Sequence, residues 1–328
     1  MVDVGLLTSL SGRYQPVTPC CSFVLKYADL LAPVLVLLLA LHLLCMNVCS
    51  AGPLVCVWLN RKASPAVAKQ CALKLAWASY WALVFGILAG ITLGTLAWYS
   101  GDRKLVETLP LFRSKVNWGM AELLCSLAWT LGYWTWLKRR PPIGFAARFA
   151  HAGLALLTAT NLLYHFPPLM TVMSKVAAGE IEVTSHVNSS AYRALIYTPN
   201  VMAHTLHIWI ASFAVTGVYI FYLARKLDNP IPVFVTGARI SLLATLAQIG
   251  SDLWLLVVVP PHKQSLLLGG NLWETGLLLL SMLAAFQLLQ LLATLALGDY
   301  EDGLPKRIFK MMVVTVVLMS GTLHVLRG

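Results

Sequence analysis

Eight long apolar runs, separated by short polar stretches, constrain this chain more than any other feature. They fall at roughly 28–59, 72–99, 116–137, 145–174, 194–224, 232–259, 271–297 and 306–326. Each reaches the length of about 20 residues that a helix needs to cross the hydrocarbon core of a bilayer. Backbone in lipid has to satisfy its own N–H and C=O groups. Runs this long and this uniformly apolar therefore predict helices, not barrel strands. Composition agrees, with 59% hydrophobic and 11% charged residues and a mean hydropathy of +0.75. The expectation is an all-α integral membrane protein with about eight transmembrane helices forming two four-helix bundles. The first bundle spans 28–174 and the second 194–328, with an outer segment at 1–27 and an outer loop at 175–193.

The net charge of +11 is not a nucleic-acid footprint, because the basic residues sit in short loops between apolar runs. Alternate loops hold Arg61, Lys62 and Lys69, then Lys138, Arg139, Arg140 and Arg148, then Arg225 and Lys226, then Lys306, Arg307 and Lys310. The intervening loops are poorer, with Arg103, Lys104, Arg113 and Lys115, then Lys175, then Lys263. The positive-inside bias then puts both termini outside and the basic loops in the cytoplasm. No basic-then-short-apolar pattern marks a cleaved leader at the N-terminus. Seven cysteines (20, 21, 45, 49, 56, 71 and 125) form neither CxxC nor CxxCH, which argues against a zinc site or covalently attached heme. Most read as small packing residues, while Cys20 and Cys21 leave open a redox or modification role.

Chemistry enters through the histidines. His204 and His207 lie three residues apart in Val201–Trp209, inside a run greasy enough to span a membrane. Intramembrane ionisable groups are a functional hypothesis by default. Neutral imidazoles in such helices suit heme iron, although a hydrogen bond to a neighbouring helix is the plainer alternative. The two are about 60° apart on one helical face. At about 1.5 Å per residue from Ala194 they sit roughly 15 and 20 Å from the outer end. His42 falls at a comparable depth. His165, just before a break expected at Pro167-Pro168, falls in the outer part of its helix, as do His324, Glu122 and Asp252. Asn161, Tyr164 and His165 share a helix face. His151 reads as a snorkelling boundary residue, and the tryptophans near span ends as an interfacial belt.

Several of these strings, in order along the chain, resemble subunit I of the cytochrome bd-type quinol oxidases. Leu41-His42-Leu43-Leu44 with Ser50-Ala51-Gly52 is similar to its first helix, and Gly86–Leu93 to its second. Glu122 with Leu131-Gly132-Tyr133-Trp134 looks like its third. His207 with Ala211-Ser212-Phe213, Thr216-Gly217 and Tyr222–Arg225 resembles its fifth, and Ile249-Gly250-Ser251-Asp252 the end of its sixth. The resemblance implies heme b held by His42 and His207, and Glu122 as a catalytic or proton-carrying acid, while depth in the membrane offers His165, His204 or His324 as further ligands. The departures are equally specific. Only Pro260–Gly270 stands where the family has a long quinol-binding loop. The Gly-Arg-Gln-Pro-Trp motif is missing, Glu122 is the single carboxylate of its helix, and leucine replaces the expected methionine ligand.

The expected function is a heme b-binding electron-transfer subunit of a respiratory complex. It would exchange electrons between the quinone pool and membrane or peripheral redox subunits. Two alternatives stay open. One is a minimal terminal quinol oxidase reducing oxygen, and the other a heme-free scaffold or transporter. If active, the protein is an oxidoreductase.

Overall fold

The computed structural model describes residues 19–61, 64–139, 144–183 and 185–325. Residues 1–18, and with them most of the expected outer segment 1–27, lie outside the described residues, as do the side chains of Cys20 and Cys21. Among the described residues there is no strand. The long helices are α1 (Pro19–Leu59), α2 (Ala66–Tyr99), α4 (Arg113–Arg139), α5 (Phe145–Ala177), α7 (Pro199–Ala224), α8 (Ile231–Val258), α10 (Leu272–Leu297) and α11 (Leu304–Val325). Short helices α3 (Lys104–Glu107), α6 (Ser189–Ile196) and α9 (Pro261–Ser265) lie between them, and a π turn at Leu266–Gly270 follows α9.

Six of the long helices are apolar and long enough to cross a membrane: α2, α7, α8, α10, and the stretches Leu31–Leu59 of α1 and Leu304–His324 of α11. The chain is an integral membrane protein of all-α class. Helices α4 and α5 do not meet the same hydropathy standard. Both carry polar interior residues, among them Glu122, Ser126 and Thr130 in α4 and His151, Asn161 and His165 in α5.

The long helices pack in two closed rings. Helices α1, α2, α4 and α5 contact one another in that cyclic order, and α7, α8, α10 and α11 do the same. The rings meet where α1 lies against α7, with α5 against α7 and α1 against α11 on either side. Without a hydrophobic force between helices in lipid, close approach depends on small residues. Helix α2 supplies them at Ala68, Ala72, Ala76, Ser79 and Gly86, buried against Gly52, Val55 and Cys56 of α1. Large apolar side chains such as Leu88, Ile91, Leu253, Val257 and Leu283 face outward. Cys49, Cys56 and Cys71 are buried packing residues, and the Cys56 thiol donates to Ala72 O.

Two sequence expectations need correction. The run from Ala194 is not continuous, because Ala194 belongs to α6 and Thr198 is extended (φ −68°, ψ 142°) ahead of Pro199. A residue before proline is pushed out of helical geometry, and Pro199 then opens α7 as its first residue. His204 and His207 are therefore about 7.5 and 12 Å into α7, shallower than a start at Ala194 implies. Conversely, Pro167-Pro168 does not break its helix, and α5 continues to Ala177. Proline 167 cannot donate to Leu163 O, but the Trp209 indole N–H of α7 does so at 2.7 Å. Partner helices can satisfy backbone freed in this way.

Candidate functional site

The loops joining α1 to α2, α7 to α8 and α10 to α11 lie at one end of the molecule, here called the basic end, with Arg61, Arg225, Lys226, Lys306 and Arg307. The candidate site residues lie toward the opposite, far end. On α1, His42 faces α2, with Nδ1 2.8 Å from Gly86 O. Its ring lies over Gly90, where a Cβ would stand 2.9 Å from Cε1. Glycine at 90 is thus what admits the imidazole between the helices. A ring nitrogen facing a carbonyl must donate, so Nδ1 carries a proton. On α7, His204 repeats this arrangement within its own helix, with Nδ1 2.9 Å from Asn200 O. The Asn200 amide donates in turn to Val258 O of α8 at 3.1 Å.

His207 is held differently. Its Nδ1 is buried and lies 2.6 Å from Asp252 Oδ1 of α8, in ion-pair contact although the ring is not turned for an aligned hydrogen bond.

Glu122 and His165 come together between α4 and α5, with Glu122 Oε2 3.2 Å from Nδ1. His165 Nε2 donates to Lys115 O at 3.0 Å. Both ring nitrogens are therefore directed at protein groups. Asn161 locks the pair of helices, donating to Glu122 O at 2.7 Å and Ser126 Oγ at 2.6 Å. Tyr164, expected on the same face, is exposed. Among the described residues, no three His, Cys, Asp or Glu side chains converge as a metal cage. Heme asks for less, one or two axial nitrogens. His42 and His204 have an Nδ1 that donates to a backbone carbonyl, and His207 has its Nδ1 against a carboxylate, contacts that orient an imidazole. His165 has one ring nitrogen on Lys115 O and the other beside Glu122.

Compared with family models, with curated proteins and with solved structures, the chain has no significant match. The site's chemistry rests on its own residues.

Three groups were not legible as site or tertiary elements. Asp252 stood out in sequence by its depth and its string, but its pairing with His207 depends on how α7 and α8 register. His151 is not a snorkelling boundary residue. It is 2% exposed, stacks on Tyr133 at 4.6 Å, and its Nε2 has no hydrogen-bond partner. Among the tryptophans, Trp77 of α2 packs on Trp134 of α4 at 4.3 Å. At the far end, Glu180 accepts from Lys175 of α5 at 2.9 Å and pairs with Lys263 of α9 at 3.0 Å. Burial pushes the Glu180 carboxyl up, but hydrogen bonds and charge from the two lysines outweigh it and hold the group below its ordinary value. This three-residue bridge clips the end of the first ring to α9.

Proposed function

We propose that this chain is a heme b-binding, electron-transferring membrane subunit, a shortened relative of cytochrome bd-type subunit I without its quinol loop. It works within a larger respiratory assembly in a prokaryotic-type inner membrane, its termini outside and eight helices crossing. The observation that carries the reading is the tethering of His42, His204 and His207. His42 and His204 each have Nδ1 donating to a backbone carbonyl, and His207 has Nδ1 2.6 Å from the Asp252 carboxylate, contacts of the kind that orient imidazoles bound to a metal. When bound, heme supplies reversible one-electron chemistry. The protein's part is to fix ring orientation, exclude water and set the local dielectric. Helices α1 and α7 bring His42 and His207 to the two sides of the ring–ring interface, so that electrons pass between the units through packed protein.

A second reading, a minimal quinol oxidase, draws on the Glu122–His165 dyad. A carboxylate and an imidazole 3.2 Å apart are suited to accepting protons as a quinol is oxidised. An apolar cleft bounded by Val116, Met120, Phe166 and Met173 lies nearby on α4 and α5. In that reading Glu122 holds the transferable proton and His165 orients it.

The deciding experiment is a reduced-minus-oxidised visible spectrum of the purified protein, with a pyridine hemochrome assay for stoichiometry. A sharp b-type α band is expected, and His207→Ala should remove a low-spin component. A featureless spectrum from folded protein would overturn the proposal.

A further inference from the structure

Helix α10 turns one side to its own ring and leaves the other unpartnered. Ser281, Ala284, Leu288, Leu292 and Leu295 are buried where it packs on α8 and α11. On the opposite side Leu280, Leu283, Gln287, Gln290, Thr294 and Leu297 are all exposed, at alternating intervals of three and four residues. That 3.5-residue period is the seam of a left-handed helix pair, and it keeps the same residues facing a neighbouring helix along the whole length. Two of the six are glutamines. Gln287 lies about 22 Å from the start of α10 at Leu272 and about 15 Å from its end at Leu297, well inside a hydrocarbon core. Gln290 is one turn nearer the basic end. Among the described residues neither side-chain amide has a hydrogen-bond partner.

An amide left in hydrocarbon with nothing to bond is costly. Exposed threonines on α2 avoid that cost by donating within their own helix, Thr92 to Leu88 O and Thr95 to Ile91 O, and Thr294 does the same to Gln290 O. A glutamine side chain carries two donors and an acceptor, and those of Gln287 and Gln290 project from the side of α10 that its own ring leaves open. Their partners come from another transmembrane helix, where polar side chains act as glue. We propose that this face of α10 is a dimerisation seam, occupied by α10 of a second copy of the chain. Two copies inserted with the same orientation are related by a two-fold axis along the membrane normal, which sets each seam residue against its own equivalent at the same depth. The seam suits that arrangement at every level. An amide is its own complement, N–H to C=O in both directions; leucine meets leucine; and no charged side chain lies on the stripe. The lipid face of α8 fails the same test, because its exposed Arg239 would meet a like charge; that guanidinium instead donates to Ala296 O of its own chain at 3.1 Å. Polar residues at seam positions also fix register and copy number, as they do in coiled coils. The association needs no heme and stands apart from the electron-transfer reading.

The test uses the full chain, fluorescently labelled and reconstituted into large liposomes over a range of protein-to-lipid ratios. Single-molecule photobleaching then counts the copies held together. Wild type should pass from one copy to two as its density rises, beyond random co-occupancy. The double variant Gln287→Leu, Gln290→Leu should need a roughly tenfold higher density for the same dimer fraction, the shift expected from losing two interhelical amide pairs of ordinary membrane strength. Oxidative cross-linking in native membranes reads the placement separately. Leu283→Cys and Gln290→Cys should each give disulfide-linked dimers of the chain above the background that Cys125 and the other native cysteines set in wild type. Leu253→Cys, on the exposed face of α8, should not. Wild type that stays monomeric at every density, a double variant that associates as wild type does, or equal cross-linking from Leu253→Cys would overturn the proposal. So would seam cysteines that cross-link only to a different polypeptide, a result that assigns the face to a distinct membrane partner.

Discussion

Replacing Trp209 with phenylalanine tests the way α5 crosses two consecutive prolines. The indole N–H donates at 2.7 Å to Leu163 O, the carbonyl that Pro167 leaves without its intrahelical donor. Phenylalanine keeps most of the ring contact and removes only the donor. Leu163 is 8% exposed, so its carbonyl has little alternative. A net hydrogen bond contributes about 0.5–1.5 kcal/mol, and leaving a buried acceptor unmet costs about 1–3 kcal/mol. Interhelical hydrogen bonds within membranes average about 0.6 kcal/mol, because the separated helices find other partners. The expected loss for Trp209→Phe is therefore about 1 kcal/mol. The informative comparison is the double-mutant cycle with Pro167→Ala. Alanine restores an N–H at 167 that can reach Leu163 O within the helix, so the indole becomes redundant there. In that background Trp209→Phe should cost about 0.3 kcal/mol or less, a coupling well above the scatter expected of independent sites. Reversible unfolding in mixed micelles, or steric trapping in bicelles, resolves this difference. Equal losses in both backgrounds would refute the claim that Trp209 stands in for the missing proline donor.

Other outcomes follow from the same geometry. Gly52→Ala should destabilise by about 1–3 kcal/mol through overpacking, and Ser79→Ala should rescue much of it, because the colliding group is a side-chain hydroxyl. Gly217→Ala should resist the matching rescue by Ser241→Ala, since its Cβ would also meet backbone, Gly237 O at 2.8 Å and Ser241 N at 3.0 Å; thermal melts of the four single and two double variants decide this. Glu180 has a lowered carboxyl pKa, so its contribution is complete above the ordinary glutamate range and is lost as pH falls through the lower folded value. Glu180→Gln should accordingly lower stability at neutral pH by about 1 kcal/mol and flatten the acid limb of a stability–pH profile; an acid limb identical to wild type would contradict it. His165→Phe should leave any low-spin heme band in place, because both of its nitrogens already serve protein groups, and loss of that band would show that the ring rearranges to bind iron.

The membrane class was decided by the sequence, because apolar runs of this length leave the backbone little choice but helix. The candidate histidines were legible for a similar reason, since an imidazole is conspicuous among leucines. What each one does was not. Whether His42 meets a carbonyl or a carboxylate depends on which residue of α2 faces it, and helix register is a property of packing. Glu122 and His165 are 43 residues apart and meet only because α4 and α5 are antiparallel with Asn161 bridging them. The hinge at Thr198 was local and could have been read from Pro199 alone, whereas the continuity of α5 through two prolines could not, because the donor that replaces the missing N–H comes from α7. The likeness of the two rings was hidden for the same reason. It rests on a few contact positions, Gly52 with Ser79 and Gly217 with Ser241, while the lipid-facing residues between them need only be apolar and so carry almost no record of it.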